Sequence, residues 1–178
     1  DLLNRGANKV STYIVDLAKF KQHPVVLTEA YKIFKGFDIA LIAYGTLPDQ
    51  ILCESDYQKG IESININSTS VISLLLNLSN NFEKQAYGVI GVITSVAGDR
   101  GRKSNYIYGS SKAAVSVFCE GLRARLYKNN ISLTDIRPGL IDTPMIQDLD
   151  FPKFLITKVD MAAQYIVRSI DKKKDIVY

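Results

Sequence analysis

The sequence predicts an α/β protein built on a doubly wound parallel sheet, and three observations carry that expectation. Short β-branched runs alternate with longer helical segments along the whole chain, the order of a βαβ series. The runs DIALIAY (38–44) and GVIGVIT (88–94) are apolar without strict alternation, as strands covered by helices on both faces must be. Finally, 178 residues with 47% hydrophobic and 22% charged side chains suit one soluble globular domain, 1–178, with a sizeable core. No internal repeat, low-complexity tract or linker interrupts it.

The elements follow in order. VSTYIV (10–15) reads as a first strand, and PVVLTEAYKIF (24–34) as a helix that His23 and Pro24 open, with His23 a surface or capping residue. DIALIAY is the next strand, and a long helical segment runs from about Asp56 to Phe82. GVIGVIT is followed by a helix from about Asn105 to Lys128, then by the strand ISLTDI (131–136). Thr157 and Asp160 form a Thr-x-x-Asp capping signature before the helix MAAQYIVRSI (161–170), and DIVY (175–178) is one more strand.

Several function classes drop out. The single histidine, His23, would have to serve any Ser-His-Asp triad, Cys-His pair or ordinary zinc site, so a metal is not expected. Cys53 and Cys119 sit in apolar, helix-like contexts, which fits buried thiols in a reducing, cytoplasmic compartment. The apolar run VISLLLNLSNNF is too short and too polar to span a bilayer. The net charge is +4, but the basic residues are scattered and the densest run is Lys172 to Lys174, so nucleic acid is not an expected partner.

Ligands of open parallel sheets bind outside the carboxyl ends of the strands, where this chain carries Asp16, Gly45, Ser95 and Pro138-Gly139. The helix after the Ser95 loop begins with Tyr108 and Lys112, which share one face at i and i+4. Between them, Gly109, Ser110 and Ser111 would leave that face thin enough for another molecule to lie close. Tyr106 has Ser110 at i+4 and so lacks a cation.

Together these residues resemble the short-chain dehydrogenase/reductase family. Its four catalytic positions are matched in order by Asn67, Ser95, Tyr108 and Lys112, with Tyr108 and Lys112 as Tyr-x-x-x-Lys and Ser95 thirteen residues before the tyrosine. RPGLIDTPM resembles the family's nicotinamide loop, which assigns Pro138, Gly139, Ile141 and Thr143 to the cofactor, and VDL resembles its adenine contact, which assigns Asp16 and Leu17. The family's Asn-Asn-Ala-Gly strand end is here Ile42, Ala43, Tyr44 and Gly45, so Ala43 and Gly45 keep a backbone approach to the cofactor without the asparagine side chains. The resemblance implies a Rossmann-like sheet, NAD or NADP as cofactor, and a carbonyl or alcohol substrate. The family's glycine-rich loop, first helix and second strand should precede VSTYIV and do not occur in this sequence, so the chain is expected to be an N-terminally truncated fragment with little dinucleotide affinity. AYGTLPDQ and SVAGDRGRKSNYIYGSSK look most like the branch of decaprenylphosphoryl 2-keto-ribose reductases, which points to a sugar or lipid-linked sugar.

Carbonyl reduction requires a proton for the developing alkoxide, and Tyr108 is the candidate acid. Bringing a phenol from about 10 to about 7 takes roughly 4 kcal/mol of preferential phenolate stabilisation, which a neighbouring ammonium can help supply. By the resemblance, Lys112 also binds the nicotinamide ribose, Ser95 the substrate oxygen, and Asn67 a relay water. Alternatives stand beside these roles: Asp16 as a helix cap, Thr143 as a turn residue, and the basic loop DRGRKS as a solvated rather than anion-binding segment. Val71, Ile72, Leu74, Leu75 and Leu76 on one helix and Val117, Phe118, Leu122 and Leu126 on another exceed one sheet-facing stripe, which predicts a homodimer or homotetramer. The alternative function is a non-catalytic dinucleotide-binding or structural relative.

Overall fold

The computed structural model describes residues 1–147 and 151–178. Its elements are α1 (His23–Phe34), β1 (Ile39–Ile42), α2 (Gln50–Ser55), α3 (Tyr57–Ile64), α4 (Ser70–Gln85), β2 (Gly88–Ile93) and α5 (Tyr106–Leu126). They continue with β3 (Ile131–Ile136), β4 (Leu140–Ile141), β5 (Ile156–Thr157), α6 (Val159–Asp171) and β6 (Ile176–Val177). The main sheet has the order β1-β2-β3-β6 with every pair parallel, and β4 and β5 form a separate two-stranded pair.

Helices cover both faces of the sheet, as the unalternating strands require. Ile90, Val92, Ile131 and Leu133 share a core with Leu75, Leu78 and Phe82 of α4 and Val115, Leu122 and Leu126 of α5. Gly91 points the other way, where an added Cβ would lie 3.0 Å from the side chain of Ile170 in α6. Burying each such aliphatic or aromatic side chain contributes about 1.5–3 kcal/mol, so this two-sided apolar filling is the main force holding the strand ends in place. The fold is thus the predicted doubly wound, Rossmann-like parallel sheet.

VSTYIV is not a strand. Residues 10–15 join no sheet and Ile14 is fully exposed, because a strand exists only through a ladder partner and none lies beside this segment among the described residues. The flank of β1 away from β2 is correspondingly bare, with Ile39 51% and Leu41 47% exposed.

His23 is not at the surface either. Its ring is fully buried, with Nε2 2.8 Å from the Leu17 carbonyl and Nδ1 3.0 Å from Ser73 Oγ, so it pins the N-terminal segment to α4. Thr157 and Asp160 do not build the predicted capping box: Thr157 pairs with Ile141 in the small sheet, and α6 starts after Lys158 without a side-chain cap. Leu75, a candidate for the oligomer face, is fully buried under the sheet, whereas Leu76 and Val117 face outward.

Candidate active site

The predicted helix from Asp56 to Phe82 is interrupted where it matters. Between α3 and α4, residues Asn65–Thr69 widen into a π turn, and Asn67 sits in it with no exposed surface. Such bulges re-aim a side chain that regular helical spacing would leave alongside its neighbours. Asn67 Oδ1 accepts from the Thr46 amide at 2.9 Å, and its Nδ2 donates to the Thr46 carbonyl at 2.9 Å and to Ser63 Oγ at 3.2 Å. The asparagine therefore clamps the loop after β1. Gly45 lies in that loop, and a Cβ there would fall 2.8 Å from Asn67 Oδ1 and 3.3 Å from Lys112 Nζ. Glycine is what lets the loop backbone come this close to both groups.

From the next strand, β2, the chain passes through Thr94 and Ser95 into a short turn, Val96–Gly98, whose Ala97 amide donates to Ser95 Oγ at 3.1 Å. Helix α5 then begins at Tyr106, its first turn held by the Ile107 amide donating to the buried Gln50 at 3.2 Å. Lys112 extends from α5 beneath the strand ends and donates from Nζ to the Ile93 carbonyl at 3.1 Å, with the ammonium 5.7 Å from the centroid of the Tyr108 ring. The small residues between them serve the chain itself rather than a visitor. A Cβ on Gly109 would lie 2.6 Å from the Ala97 carbonyl oxygen, and one on Gly98 2.8 Å from the Ala113 nitrogen, so the two glycines let the Ser95 turn seat against α5.

Burial sets the electrostatics. Lys112 is 4% exposed, and desolvation pushes its pKa down to about 8, with the negative charge of Asp135 holding it up. Burial likewise raises the Tyr108 phenol above its ordinary value, while a hydrogen bond with the Ser95 hydroxyl pulls it back. Near neutral pH the lysine remains mostly protonated and the phenol holds its proton, so a cation stands beside an acid that has a proton to give. Tyr106 points elsewhere and is largely exposed.

The predicted cofactor residues are divided between two separate clefts, neither of them lined by Ser95, Tyr108 or Lys112, with Asp16, Gly45 and Thr143 in neither. Leu17 approaches the end of β1 through its carbonyl, which accepts from Ser70 Oγ at 2.6 Å, and Ser70 lies 2.6 Å from the Tyr44 hydroxyl. Leu17, Ala43 and Tyr44 border a cleft of about 580 Å³ along the open flank of β1. Asp16 serves as a turn residue: its carboxylate accepts from the Ala18 amide at 3.0 Å and stays exposed. The Pro138 carbonyl accepts from the Val96 amide at 3.2 Å, which ties the Pro-Gly loop to the Ser95 turn. Pro138, Gly139 and Ile141 border a second cleft of about 450 Å³ against α6. Thr143 Oγ1 donates to the Ile141 carbonyl at 3.3 Å, and no hydrogen bond among the described residues ties Thr143 or Asp16 to Tyr108 or Lys112. Sequence reasoning read His23 as a surface or capping residue, saw Tyr44 only as a departure from a family motif, and missed Ser70 and Asp135. Each matters through contacts 26 to 53 residues away or through burial, which no local spacing encodes.

Comparison with known proteins gives the family and the fold. The family model for short chain dehydrogenases matches residues 2–152. Two uncharacterized oxidoreductases from strains of Mycobacterium tuberculosis are 27% and 28% identical over 95% and 97% of the chain, which spans 68% and 69% of their own lengths. An uncharacterized oxidoreductase of Streptomyces coelicolor is 32% identical over 60% of the chain and 43% of its own length. Among solved structures, a short chain dehydrogenase from Burkholderia cenocepacia, crystallised in complex with NADP, superposes with a TM-score of 0.85 at 21% identity. That match covers 97% of this chain and 70% of the other.

Proposed function

The chain belongs to the short chain dehydrogenase family, an enzyme family of oxidoreductases, and from that premise we propose that Tyr108 is the acid and base of a nicotinamide-dependent carbonyl reduction or alcohol oxidation. The observation that carries the reading is the convergence of Asn67, Gly45, Ser95, Tyr108 and Lys112, from four separate segments, at the carboxyl ends of β1 and β2. When bound, a nicotinamide dinucleotide supplies or accepts the hydride.

The residues present fit the nicotinamide-ribose end of such a cofactor. The Lys112 ammonium is a donor suited to ribose hydroxyls, Gly45 brings the backbone of the loop after β1 close to it, and the Pro138-Gly139 loop is tied to the Ser95 turn. No stretch of the sequence reads as a glycine-rich pyrophosphate loop. Tyr108 protonates the oxygen of a carbonyl as it gains negative charge, or takes the proton back from an alcohol, while Ser95 donates a second hydrogen bond to that oxygen. Lys112 holds a positive charge near the phenol and favours the phenolate left behind. Asn67 keeps the loop over this site in register and connects it to Ser63.

The cofactor is NAD or NADP, and the Burkholderia structure in complex with NADP makes the phosphorylated form worth testing first. The substrate is a small carbonyl or alcohol compound, with a sugar or lipid-linked sugar suggested by the AYGTLPDQ and DRGRKS loops. The outward-facing Leu76 and Val117 on α4 and α5 support a homo-oligomer, and the two free, buried thiols go with a cytoplasmic enzyme. No helix among the described residues is long and apolar enough to cross a membrane.

The reading is tested by Tyr108→Phe. Made in a chain of the relatives' full length, this change should lower turnover at least about a hundredfold and leave NAD(P)H affinity nearly intact, whereas Lys112→Ala should weaken both. Near-normal turnover in Tyr108→Phe, measured by steady-state kinetics beside a cofactor titration, would refute the acid-base assignment.

A further inference from the structure

Under α5 lies a buried charge that the proposed chemistry does not use. Asp135 is the fifth residue of β3 and has no exposed surface. In register it stands opposite Val92, so its side chain shares the face of the sheet that packs on α5, the face reached by Lys112 and Cys119. Both carboxylate oxygens are engaged. Oδ1 accepts from Thr94 Oγ1 at 2.5 Å, and Oδ2 accepts from Arg137 Nε at 2.7 Å. Arg137 in turn reaches Asp99 at 3.0 Å, the Tyr178 hydroxyl at 3.4 Å and Glu120 at 3.6 Å.

The placement of Thr94 is the link. It follows Ile93, whose carbonyl receives the Lys112 ammonium, and precedes Ser95, while its own amide donates to the Ile136 carbonyl at 2.7 Å. The carboxylate thus holds, through one hydroxyl, the backbone on which both the lysine anchor and the serine depend, and through one guanidinium it holds the entrance to the Pro138-Gly139 loop. An isolated carboxylate in such a place would carry a desolvation cost of several kcal/mol, so its neighbours have to be cationic or hydrogen-bonding.

We propose that Asp135 is a positioning residue, a buried counter-charge that keeps the Lys112 ammonium in place and charged beside Tyr108, with Arg137 and Thr94 fixing the carboxylate. The proposal rests on the reading of Lys112 as part of the site but reaches beyond the motif that identified it. The ionisable groups facing this cluster are few. Lys112 has the Tyr108 ring 5.7 Å away on α5 and lies within range of the Asp135 charge on β3 without pairing to it directly, and Gly45 and Asn67 approach from the loop after β1 and the π turn. Asp135 meets Arg137 directly and lies within range of Lys112 and the Cys119 thiol, near which Arg123 and Glu120 also lie. Burial pushes the Cys119 thiol up to about 12 and Tyr108 above its ordinary range, which leaves Lys112 as the member of the cluster that titrates near pH 8.

The test is nuclear magnetic resonance of the chain itself, so a failure to find a substrate does not bear on it. With ¹⁵N-lysine labelling, the Lys112 Nζ resonance should titrate near pH 8 in the unaltered protein. It should titrate lower in Asp135→Asn, because a negative charge on the same buried face is removed. Asp99→Asn also loosens Arg137 but leaves the charge beside Lys112, so it should not move the midpoint. A midpoint unchanged in Asp135→Asn, or shifted equally in Asp99→Asn, overturns the proposal. Should Asp135→Asn fail to fold, the unaltered protein decides: the Asp135 ¹³Cγ resonance must show an inflection at the Lys112 midpoint, and a flat trace there refutes the coupling.

Discussion

Replacing Gly109 by alanine tests whether the space between Tyr108 and Lys112 belongs to the protein or to a ligand. An alanine Cβ would lie 2.6 Å from the Ala97 carbonyl oxygen, about 0.4 Å inside the 3.0 Å limit below which such contacts are essentially never found. The clashing atom is backbone, at the centre of the turn that carries Ser95, and it cannot rotate away as the end of a side chain could. Overpacking of this kind costs about 1–3 kcal/mol. Acting against it, alanine is favoured over glycine inside a helix by about 1 kcal/mol. Gly121 isolates that second effect, since it lies in the same helix with nothing within 4 Å of its would-be Cβ. Gly121→Ala should therefore stabilise the fold by about 1 kcal/mol, and Gly109→Ala should fall about 1–3 kcal/mol below it. In urea, with a slope of about 2 kcal/mol per molar, the two midpoints should differ by roughly 0.5–1.5 M. Equal midpoints would mean that α5 and the Ser95 turn are not seated as described, and the distance argument for the site would fall with them.

Lys112→Met should reveal the cost of burying an ammonium. The folded-state pKa of about 8 lies below the ordinary 10.5, so between those values the unfolded chain binds more protons and the unaltered protein gains stability as pH rises. Relative to Lys112→Met it should gain up to about 3 kcal/mol from pH 8 to 10.5, and a pH-independent difference in denaturation midpoints would contradict the depressed lysine. Calorimetric titration of the 178-residue chain with NADH and NADPH should show no binding at micromolar concentrations, because a pyrophosphate anchor is missing from the sequence. Micromolar affinity would show that other residues supply that anchor. Val117→Asp should dissociate a homo-oligomer without unfolding the protomer, because Val117 is 68% exposed. Light scattering showing the unaltered protein to be a monomer would dispose of the oligomer.

The strands DIALIAY, GVIGVIT and ISLTDI and the helix beginning near Asn105 were legible because their signals are local. Apolar runs of strand length, and an i, i+4 pair at a helix start, depend on residues a few positions apart. The candidate catalytic residues were legible through resemblance to a family's motifs, whose order and spacing Asn67, Ser95, Tyr108 and Lys112 match. VSTYIV shows where that logic stops. Its β-branched composition suits a strand, but a ladder needs a neighbour, and the neighbour is a property of the sheet. His23 shows the complementary case, in which a polar residue in a surface-like context becomes buried because Leu17 and Ser73 converge on its two ring nitrogens.

Composition and apolar patterning pointed to the class of fold, and resemblance to a family's motifs singled out Asn67, Ser95, Tyr108 and Lys112 as the residues to examine. The tertiary structure decided how they act on one another. That Asn67 sits in a π turn and grips Thr46, that Gly109 receives a carbonyl rather than a ligand, and that Asp135 is buried on Thr94 and Arg137 all follow from packing α4 and α5 onto β2 and β3. Backbone pattern is encoded by neighbours in sequence, whereas desolvation and charge pairing are set by neighbours in space, and the state of a buried lysine depends wholly on the second.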